Sequence, residues 1–141
     1  MDIQVESGAF PNDHDSLLRQ AIEVTLSDDG RPSEVSLTLM DDDAITGLNR
    51  DYLGKDRPTD VIAFSLGTED APLGDVYIGY EQAVRQATEL GVVLKEELVR
   101  LAVHGTLHVL GHDHPDGEER LTSPMFVVQE RLVRTVLHPT A

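Results

Sequence analysis

The sequence predicts a single α+β domain, residues 1–141, in which about five helices pack on one small mixed β-sheet. Short strand patterns and longer helical patterns intermix along the chain, without the sustained strand–helix–strand alternation of a parallel α/β fold. The 141 residues are 40% hydrophobic, which is sufficient for one compact core. No repeat, low-complexity tract or Pro/Gly/Ser-rich linker divides the chain, so one domain is expected.

Four segments have the patterns of short strands. The clearest is residues 34–40, where Val35, Leu37 and Leu39 alternate with polar residues, as in a strand with one buried face. The other three are short apolar runs, at residues 3–5, 61–64 and 74–78.

Five segments have helical patterns. Residues 13–26 place apolar side chains at helical spacing and end at Asp28-Asp29-Gly30. Residues 41–53 begin with three aspartates, whose charge suits the positive end of the helix dipole. The remaining predicted helices cover residues 80–90, 94–110 and 123–137.

The composition limits the function. The net charge is −15, from 26 acidic residues and 11 lysines and arginines. This balance argues against broad attraction to polyanions, so any nucleic-acid function must depend on a local site. The absence of cysteine excludes disulfides and thiolate metal sites.

The sequence favours a cytoplasmic protein without a membrane partner. No apolar stretch has the length that a membrane span requires, and the first residues lack the basic and apolar regions of a secretory signal. No glycine-rich phosphate loop is present, so a nucleotide cofactor is not expected.

Four of the six histidines fall within eleven residues, from His104 to His114. His104 and His108 are four residues apart in the predicted helix 94–110, so their imidazoles lie on one helix face. Gly111 supplies a permissive backbone at which the helix ends and the chain turns. The turn brings His114 back as a third ligand, and these three histidines are the predicted metal ligands.

Three neutral imidazoles without a fourth protein ligand are typical of an open, catalytic zinc site. Zinc at such a site makes water nucleophilic near neutral pH and polarises the bond under attack. Imidazole also accepts nickel, copper or iron, so one zinc ion is the preferred cofactor and other divalent transition metals are alternatives. The expected reaction is a hydrolysis.

The alternative is that the histidines are ordinary surface or satisfied core residues. Against it, residues 101–110 are apolar except for Thr106 and the two histidines, and buried imidazoles need partners. Gly105 costs the helix about 1 kcal/mol relative to alanine, which indicates a close approach there. His112 is left open as an exchangeable ligand, a proton shuttle or a solvated residue. Asp113 is either an acceptor for a ligand imidazole or a turn residue.

The spacing of His104, His108, Gly111 and His114 also matches the zinc motif of metzincin peptidases. Those enzymes carry a glutamate directly after the first histidine, as the general base, whereas this chain carries Gly105. Peptide hydrolysis needs a base for the water and an acid for the amine leaving group. The missing carboxylate makes a metallopeptidase the second hypothesis.

A phosphodiester has a better leaving group, and its hydrolysis depends more on charge neutralisation and positioning. Three of the eleven basic residues, Arg50, Lys55 and Arg57, lie within eight positions. All three are candidate substrate contacts, and the two arginines are candidate catalytic residues. Thr59 and Asp60 are candidates to line the cleft. Interleaved aspartates leave a mixed, solvated surface as the alternative.

Two segments together resemble the YbeY family of bacterial rRNA-maturation endoribonucleases: the histidine segment 104–114 and residues 48–64, LNRDYLGKDRPTDVIAF. Gly74-Asp75-Val76 also fits. The resemblance implies a metalloprotease (zincin)-like fold and a cytoplasmic, zinc-dependent, single-strand-specific endoribonuclease. It implies action on the 16S rRNA 3′ end and in 70S ribosome quality control, with the ribosome or its small subunit as partner. It also implies His104, His108 and His114 as metal ligands, and a monomer is favoured.

The chain departs from the family pattern at two positions. His112 stands where family members commonly have tyrosine, and Leu53 stands where they usually have an arginine important to activity. Arg50 lies one helical turn before Leu53 and is the candidate replacement. A third hypothesis is a noncatalytic, ribosome-associated module with a structural metal, which a fourth ligand from His112 or Asp113 would favour.

Overall fold

The computed structural model describes residues 2–139; Met1, Thr140 and Ala141, the ends of the predicted domain 1–141, lie outside the described residues. Within these bounds the fold is α+β, as predicted. The strands are β1 (Asp2–Glu6), β2 (Glu34–Met40), β3 (Val61–Ser65) and β4 (Leu73–Gly79). The α-helices are α1 (Asp15–Asp29), α2 (Asp42–Leu53), α3 (Tyr80–Leu90), α4 (Leu94–Val109) and α5 (Pro124–Leu137), and a 3-10 helix covers Gly117–Thr122.

The predicted helices are present with small differences at their ends. α1 continues through Asp29 and ends at Gly30, whose φ of 87° is in the left-handed region. Asp41 and Ser123 precede α2 and α5 as N-caps, because their side chains accept backbone N–H groups. The 3-10 helix has no apolar periodicity and is absent from the prediction. No helix within residues 2–139 combines the length and the apolar composition needed to cross a membrane.

The sheet is mixed, as predicted, with strand order β1-β2-β4-β3. β1 and β4 pair with β2 in parallel, whereas β3 pairs antiparallel with β4. β3 is therefore an edge strand. One face of the sheet carries the buried side chains of β2 and β4. The opposite face carries Phe64 and Tyr77, and Tyr52 of α2 packs against Phe64.

The core surrounds α4. This helix packs against β3 and β4 on one side and against α1, α3 and α5 on the others. Most of its apolar side chains are buried: Leu98, Val99, Leu101, Ala102, Val103, Leu107 and Val109. Because the helix is held on several sides, the direction in which His104 and His108 point is fixed by packing.

Two glycines let α4 lie close to β4. A Cβ atom at position 105 would lie 2.6 Å from Val76 Cγ1, and one at position 74 would lie 2.6 Å from Val109 Cγ2. Real Cβ contacts are essentially never this short. The close approach predicted at Gly105 is therefore present, and its partner is the side chain of Val76.

Candidate metal centre

The imidazoles of His104, His108 and His114 face one another. One ring nitrogen from each lies within 4.8 Å of the others, so the three could hold one metal ion. The Nε2 atoms of His104 and His108 are 3.1 Å apart, and the ring centroids are separated by 4.7 to 5.1 Å. The predicted convergence of the three histidines is present.

The turn after α4 brings His114 to the other two histidines. Gly111 has a φ of 100°, and its N–H donates to the His108 carbonyl at 3.0 Å. The N–H of His112 donates to the Leu107 carbonyl, also at 3.0 Å. This pair of bonds is a Schellman motif, which ends a helix at a glycine. The sequence-based expectation that Gly111 turns the chain is therefore correct.

Each histidine has an oxygen next to its Nδ1 atom. His104 Nδ1 lies 2.7 Å from Gln129 Oε1, and His108 Nδ1 lies 3.0 Å from the His112 carbonyl. His114 Nδ1 lies 3.0 Å from the Pro115 carbonyl. An acceptor at Nδ1 favours the tautomer that carries its proton there. The Nε2 lone pairs are then free, and this donor set fits a divalent transition metal.

Burial keeps the imidazoles of α4 neutral. It is the largest cause that lowers the pKa of His104 and of His108, and together with the neighbouring imidazoles it brings the pKa of His108 from 6.5 to about 4. A neutral imidazole is the form that binds a metal. Both residues are therefore in their ligand form at neutral pH.

His112 and Asp113 lie outside the group of side chains with metal-binding geometry. The carbonyl of His112 accepts the His108 Nδ1 proton, and the Asp113 carboxylate accepts the His114 N–H at 2.9 Å, as in a turn. Within residues 2–139, the group with metal-binding geometry contains three side chains, and neither of these belongs to it. A metal ion held by three protein side chains would keep a coordination position for water or substrate, as in catalytic rather than structural zinc sites.

The family of the chain follows from comparison with known proteins. The family model described as Endoribonuclease YbeY matches residues 2–136. This chain belongs to the YbeY family. The resemblance carried by residues 48–64 and 104–114 is therefore confirmed.

Relatives in the YbeY family align over most of the chain. Endoribonuclease YbeY of Desulfitobacterium hafniense is 46% identical over 137 residues, which cover 85% of this chain and 87% of the relative. Endoribonuclease YbeY of Bacillus licheniformis is 36% identical over 147 residues, covering 94% and 92%. The solution structure of TM1509 from Thermotoga maritima superposes with a TM-score of 0.71 at 29% identity, covering 97% of this chain and 90% of that one.

The last turn of α2 and the segment between α2 and β3 carry the other predicted site residues of this YbeY-family chain. Asn49 ties the segment to α2, because its buried side chain donates to the Arg57 carbonyl at 2.8 Å. Its own carbonyl accepts the Lys55 N–H at 3.2 Å. Gly54 ends α2 with a φ of 72°. The segment therefore has a defined path to the start of β3.

Asp60 lies near enough to the metal centre to act on it electrostatically. Burial lowers the pKa of His104, whereas the charge of Asp60 raises it. The Asp60 carboxylate is held by the Val61 N–H at 2.8 Å and by Gln86 Nε2 at 3.2 Å. The Thr59 hydroxyl lies 3.4 Å from Asp60 Oδ1. Thr59 and Asp60 are therefore neighbours at the start of β3, and of the two it is the Asp60 charge that acts on His104.

The predicted cations differ in their surroundings. Arg50 pairs with Asp51 at 3.3 Å and with Asp56 at 3.7 Å. Within residues 2–139, no carboxylate oxygen lies within 4.0 Å of the Lys55 ammonium or the Arg57 guanidinium. In the same part of the chain, none of the three cations hydrogen-bonds to the histidines. Their role in substrate binding stays a prediction.

Two residues at the centre are missing from the sequence prediction. Gln129, on α5, is 5% exposed and hydrogen-bonds to His104. Its signal is a polar residue in the apolar stripe that also contains Met125 and Leu132, since such a residue requires a buried partner. Arg120, in the 3-10 helix, acts through its charge: beside the larger effect of burial, it lowers the pKa of His104. Nothing in its local sequence indicates this.

We expect the metal-free protein to become less stable as the pH falls from about 6.5 towards 4. The His108 pKa is 6.5 in an unfolded chain and about 4 in the folded protein, so the unfolded chain binds more protons in this range. The stability is fully present above about pH 6.5 and decreases as the pH falls through the folded pKa. Urea unfolding with a chelator, at several pH values in this range, measures it. In His108→Asn the pH dependence should be weaker, and an unchanged dependence would contradict the explanation.

Proposed function

We propose that this protein is a zinc-dependent endoribonuclease that cleaves single-stranded RNA. The observation that carries the proposal is the convergence of three imidazoles, each with an oxygen at Nδ1, in a chain of the YbeY family. The relatives described above carry the name endoribonuclease. The site chemistry and the family therefore favour the same reaction class.

His104, His108 and His114 would hold the ion through their Nε2 atoms. A bound zinc ion would supply Lewis-acid chemistry, activating water as a nucleophile and stabilising negative charge on a phosphate. The hydrogen bonds at Nδ1 orient the three rings before the ion arrives, which reduces the cost of forming the site. Zinc is preferred over other transition metals because neutral imidazoles with an open position are its usual catalytic setting.

Position 105 favours RNA over the metallopeptidase alternative. In metzincin peptidases the residue after the first histidine is a glutamate base. Here the Cβ direction at Gly105 meets Val76 Cγ1 at 2.6 Å and Val61 Cγ2 at 3.2 Å. A glutamate at this position would enter the packed interface between α4 and the sheet. The fold therefore does not accommodate the peptidase base where that motif places it.

We assign the phosphate contacts first to Arg57 and Lys55. Both are exposed, and within the described residues 2–139 neither has a carboxylate partner. Arg50 ranks below them because its guanidinium already pairs with Asp51 and Asp56. Thr59 and Asp60, which continue the same segment, would line the cleft.

The finer part of the proposal follows from family membership. We propose maturation of the 16S rRNA 3′ end and quality control of 70S ribosomes in the cytoplasm, by a monomer that binds the small subunit. The net charge of −15 repels RNA in general. Productive binding is therefore expected at a local, complementary contact on the ribosome.

The decisive experiment is a cleavage assay on end-labelled single-stranded rRNA fragments. We expect cleavage by the zinc-loaded protein, loss of cleavage with a chelator and recovery when zinc is returned, because the ion neutralises the phosphate. A duplex of the same sequence should be cut more slowly. Cleavage of an unstructured polypeptide with intact RNA would instead establish the peptidase hypothesis, and no cleavage of either would establish the noncatalytic module.

The same assay ranks Arg57 and Arg50 by their contribution to substrate binding. Arg57→Ala should raise KM more than Arg50→Ala, because two aspartates already offset part of the Arg50 charge. Lys95→Ala is the matched control, since Lys95 is an exposed cation at the start of α4. Equal KM values for Arg57→Ala and Lys95→Ala would remove Arg57 from the proposed contact.

A further inference from the structure

We propose that Gln129 is a positioning residue that holds His104 in its metal-binding tautomer, and that Glu130 and Arg100 fix the orientation of the Gln129 amide. The four side chains form one continuous line of hydrogen bonds between α4 and α5. The inference rests on the metal part of the proposed function and is independent of the RNA part.

The Gln129 amide is held at both of its polar atoms. Its Oε1 lies 2.7 Å from His104 Nδ1, and its Nε2 lies 3.0 Å from Glu130 Oε2. A rotation of the amide by 180° would exchange a donor for an acceptor at each contact. The Glu130 carboxylate can only accept, so Nε2 must face it. Oε1 is then left facing His104.

The carboxylate of Glu130 is itself fixed by Arg100. Arg100 Nε and Nη2 donate to the two oxygens of Glu130, each at 2.9 Å. This bidentate pairing is the strongest type of side-chain ion pair. Arg100 is anchored further by Glu96, at 3.0 Å on the same helix. The direction of the Gln129 amide is therefore set by an ion pair that does not contact the metal centre.

The orientation of the amide decides where His104 carries its proton. With Oε1 at Nδ1, the proton resides on Nδ1 and the Nε2 lone pair is free, 3.1 Å from His108 Nε2. With a flipped amide, Nδ1 would face a donor and the proton would move to Nε2, where it would block coordination. The line from Arg100 to Gln129 thus selects the form of His104 that can bind a metal.

His104 differs in this respect from the other two ligands. The Nδ1 atoms of His108 and His114 face backbone carbonyls, of His112 and Pro115, which a substitution does not remove. Only for His104, among the three histidines, is the acceptor a side chain. A substitution at position 129 therefore changes one ligand and leaves the other two in place.

The test is zinc affinity, measured by competition with a chromophoric chelator. Gln129→Met keeps the length and the apolar stem but removes the acceptor. Loss of an outer partner of a metal ligand typically weakens affinity by about 10–100-fold, and we expect a loss in this range. Nitrogen-15 NMR of the metal-free protein should show His104 changing from Nδ1–H to a mixture of tautomers. An affinity equal to that of the wild type, or an unchanged tautomer, would overturn the inference.

Thr25→Val is the matched control. Thr25 is 1% exposed and its hydroxyl donates to the Ala21 carbonyl at 2.8 Å, so this variant also loses a buried side-chain hydrogen bond, but none to a histidine or to Asp60. It should keep wild-type zinc affinity. If it loses as much as Gln129→Met, the effect is general destabilisation, and the inference is wrong.

Glu130→Gln tests the same series of hydrogen bonds at a residue that does not contact His104. It provides a second test if Gln129→Met does not fold. It leaves Gln129 in place but allows its amide to take either orientation, so a smaller loss of affinity and a second His104 tautomer are expected. A wild-type protein that binds no zinc would contradict the proposed function. If the wild type binds zinc and the variants at positions 129 and 130 bind it equally tightly, only this inference is contradicted.

Discussion

The His108→Ala variant is expected to lose zinc binding and RNA cleavage together. His108 supplies one of three Nε2 atoms and lies 3.1 Å from the Nε2 of His104, so its removal leaves two imidazoles and an incomplete site. Substitution of a residue that hydrogen-bonds to a metal ligand lowers metal affinity by about 10–100-fold. Removal of a ligand itself should lower zinc affinity by more than the upper end of that range. Chelator competition and the RNA assay measure the two losses.

His138→Ala provides the control for this variant. His138 is exposed at the end of α5, so its loss should change neither zinc affinity nor cleavage. A thermal shift gives a further readout, because zinc should raise the melting temperature of the wild type and of His138→Ala but not that of His108→Ala. RNA cleavage that persists in His108→Ala and resists a chelator would mean a contaminant or another mechanism.

The second large effect is expected from Gly105→Ala, which should destabilise the protein although alanine is the best helix former. Propensity alone favours alanine over glycine by about 1 kcal/mol within a helix. At position 105, however, the new methyl group would lie 2.6 Å from Val76 Cγ1 and 3.2 Å from Val61 Cγ2. Overpacking of this kind costs about 1–3 kcal/mol. Urea unfolding with a chelator measures the change without a contribution from metal binding.

Gly47→Ala is the matched comparison, because Gly47 also lies inside a helix, α2. The nearest atom to a Cβ there is Arg50 Nη2, at an ordinary 3.8 Å. The substitution should therefore stabilise the protein by up to about 1 kcal/mol. Stability changes of opposite sign at positions 105 and 47 would show that the packing of α4 on β4, rather than helix propensity, causes the loss at position 105. Equal changes would show that the close approach at Gly105 has no energetic consequence.

The helices, the strands and the candidate metal ligands could be predicted from the sequence because their signals are local. The alternation of Val35, Leu37 and Leu39 defines β2 without reference to the rest of the chain. His104 and His108 share a face because α-helix geometry places residues four apart together. Gly111 ends α4 through bonds that span only a few residues.

The strand order and the environment of each site residue were not predictable in this way. β4 lies between β2 and β3 in the sheet, and no local pattern specifies such a pairing. The sequence presents both Arg50 and Arg57 as candidate catalytic residues, with Arg50 as the replacement for the family arginine, and it does not indicate the ion pairs of Arg50 with Asp51 and Asp56. Gln129 contacts a histidine 25 residues away in the chain, so only its position in an apolar stripe indicated a buried partner.

The amino-acid sequence by itself determined which side chains could hold a metal ion, since helix periodicity and a glycine turn act over a few residues. Only the tertiary structure decided how those side chains are held: the acceptor at His104 Nδ1, the absence of space beside Gly105 and the free charge of Arg57 within the described residues. These depend on contacts between segments distant in the chain, and such contacts are set by the packing of the whole core rather than by neighbouring residues.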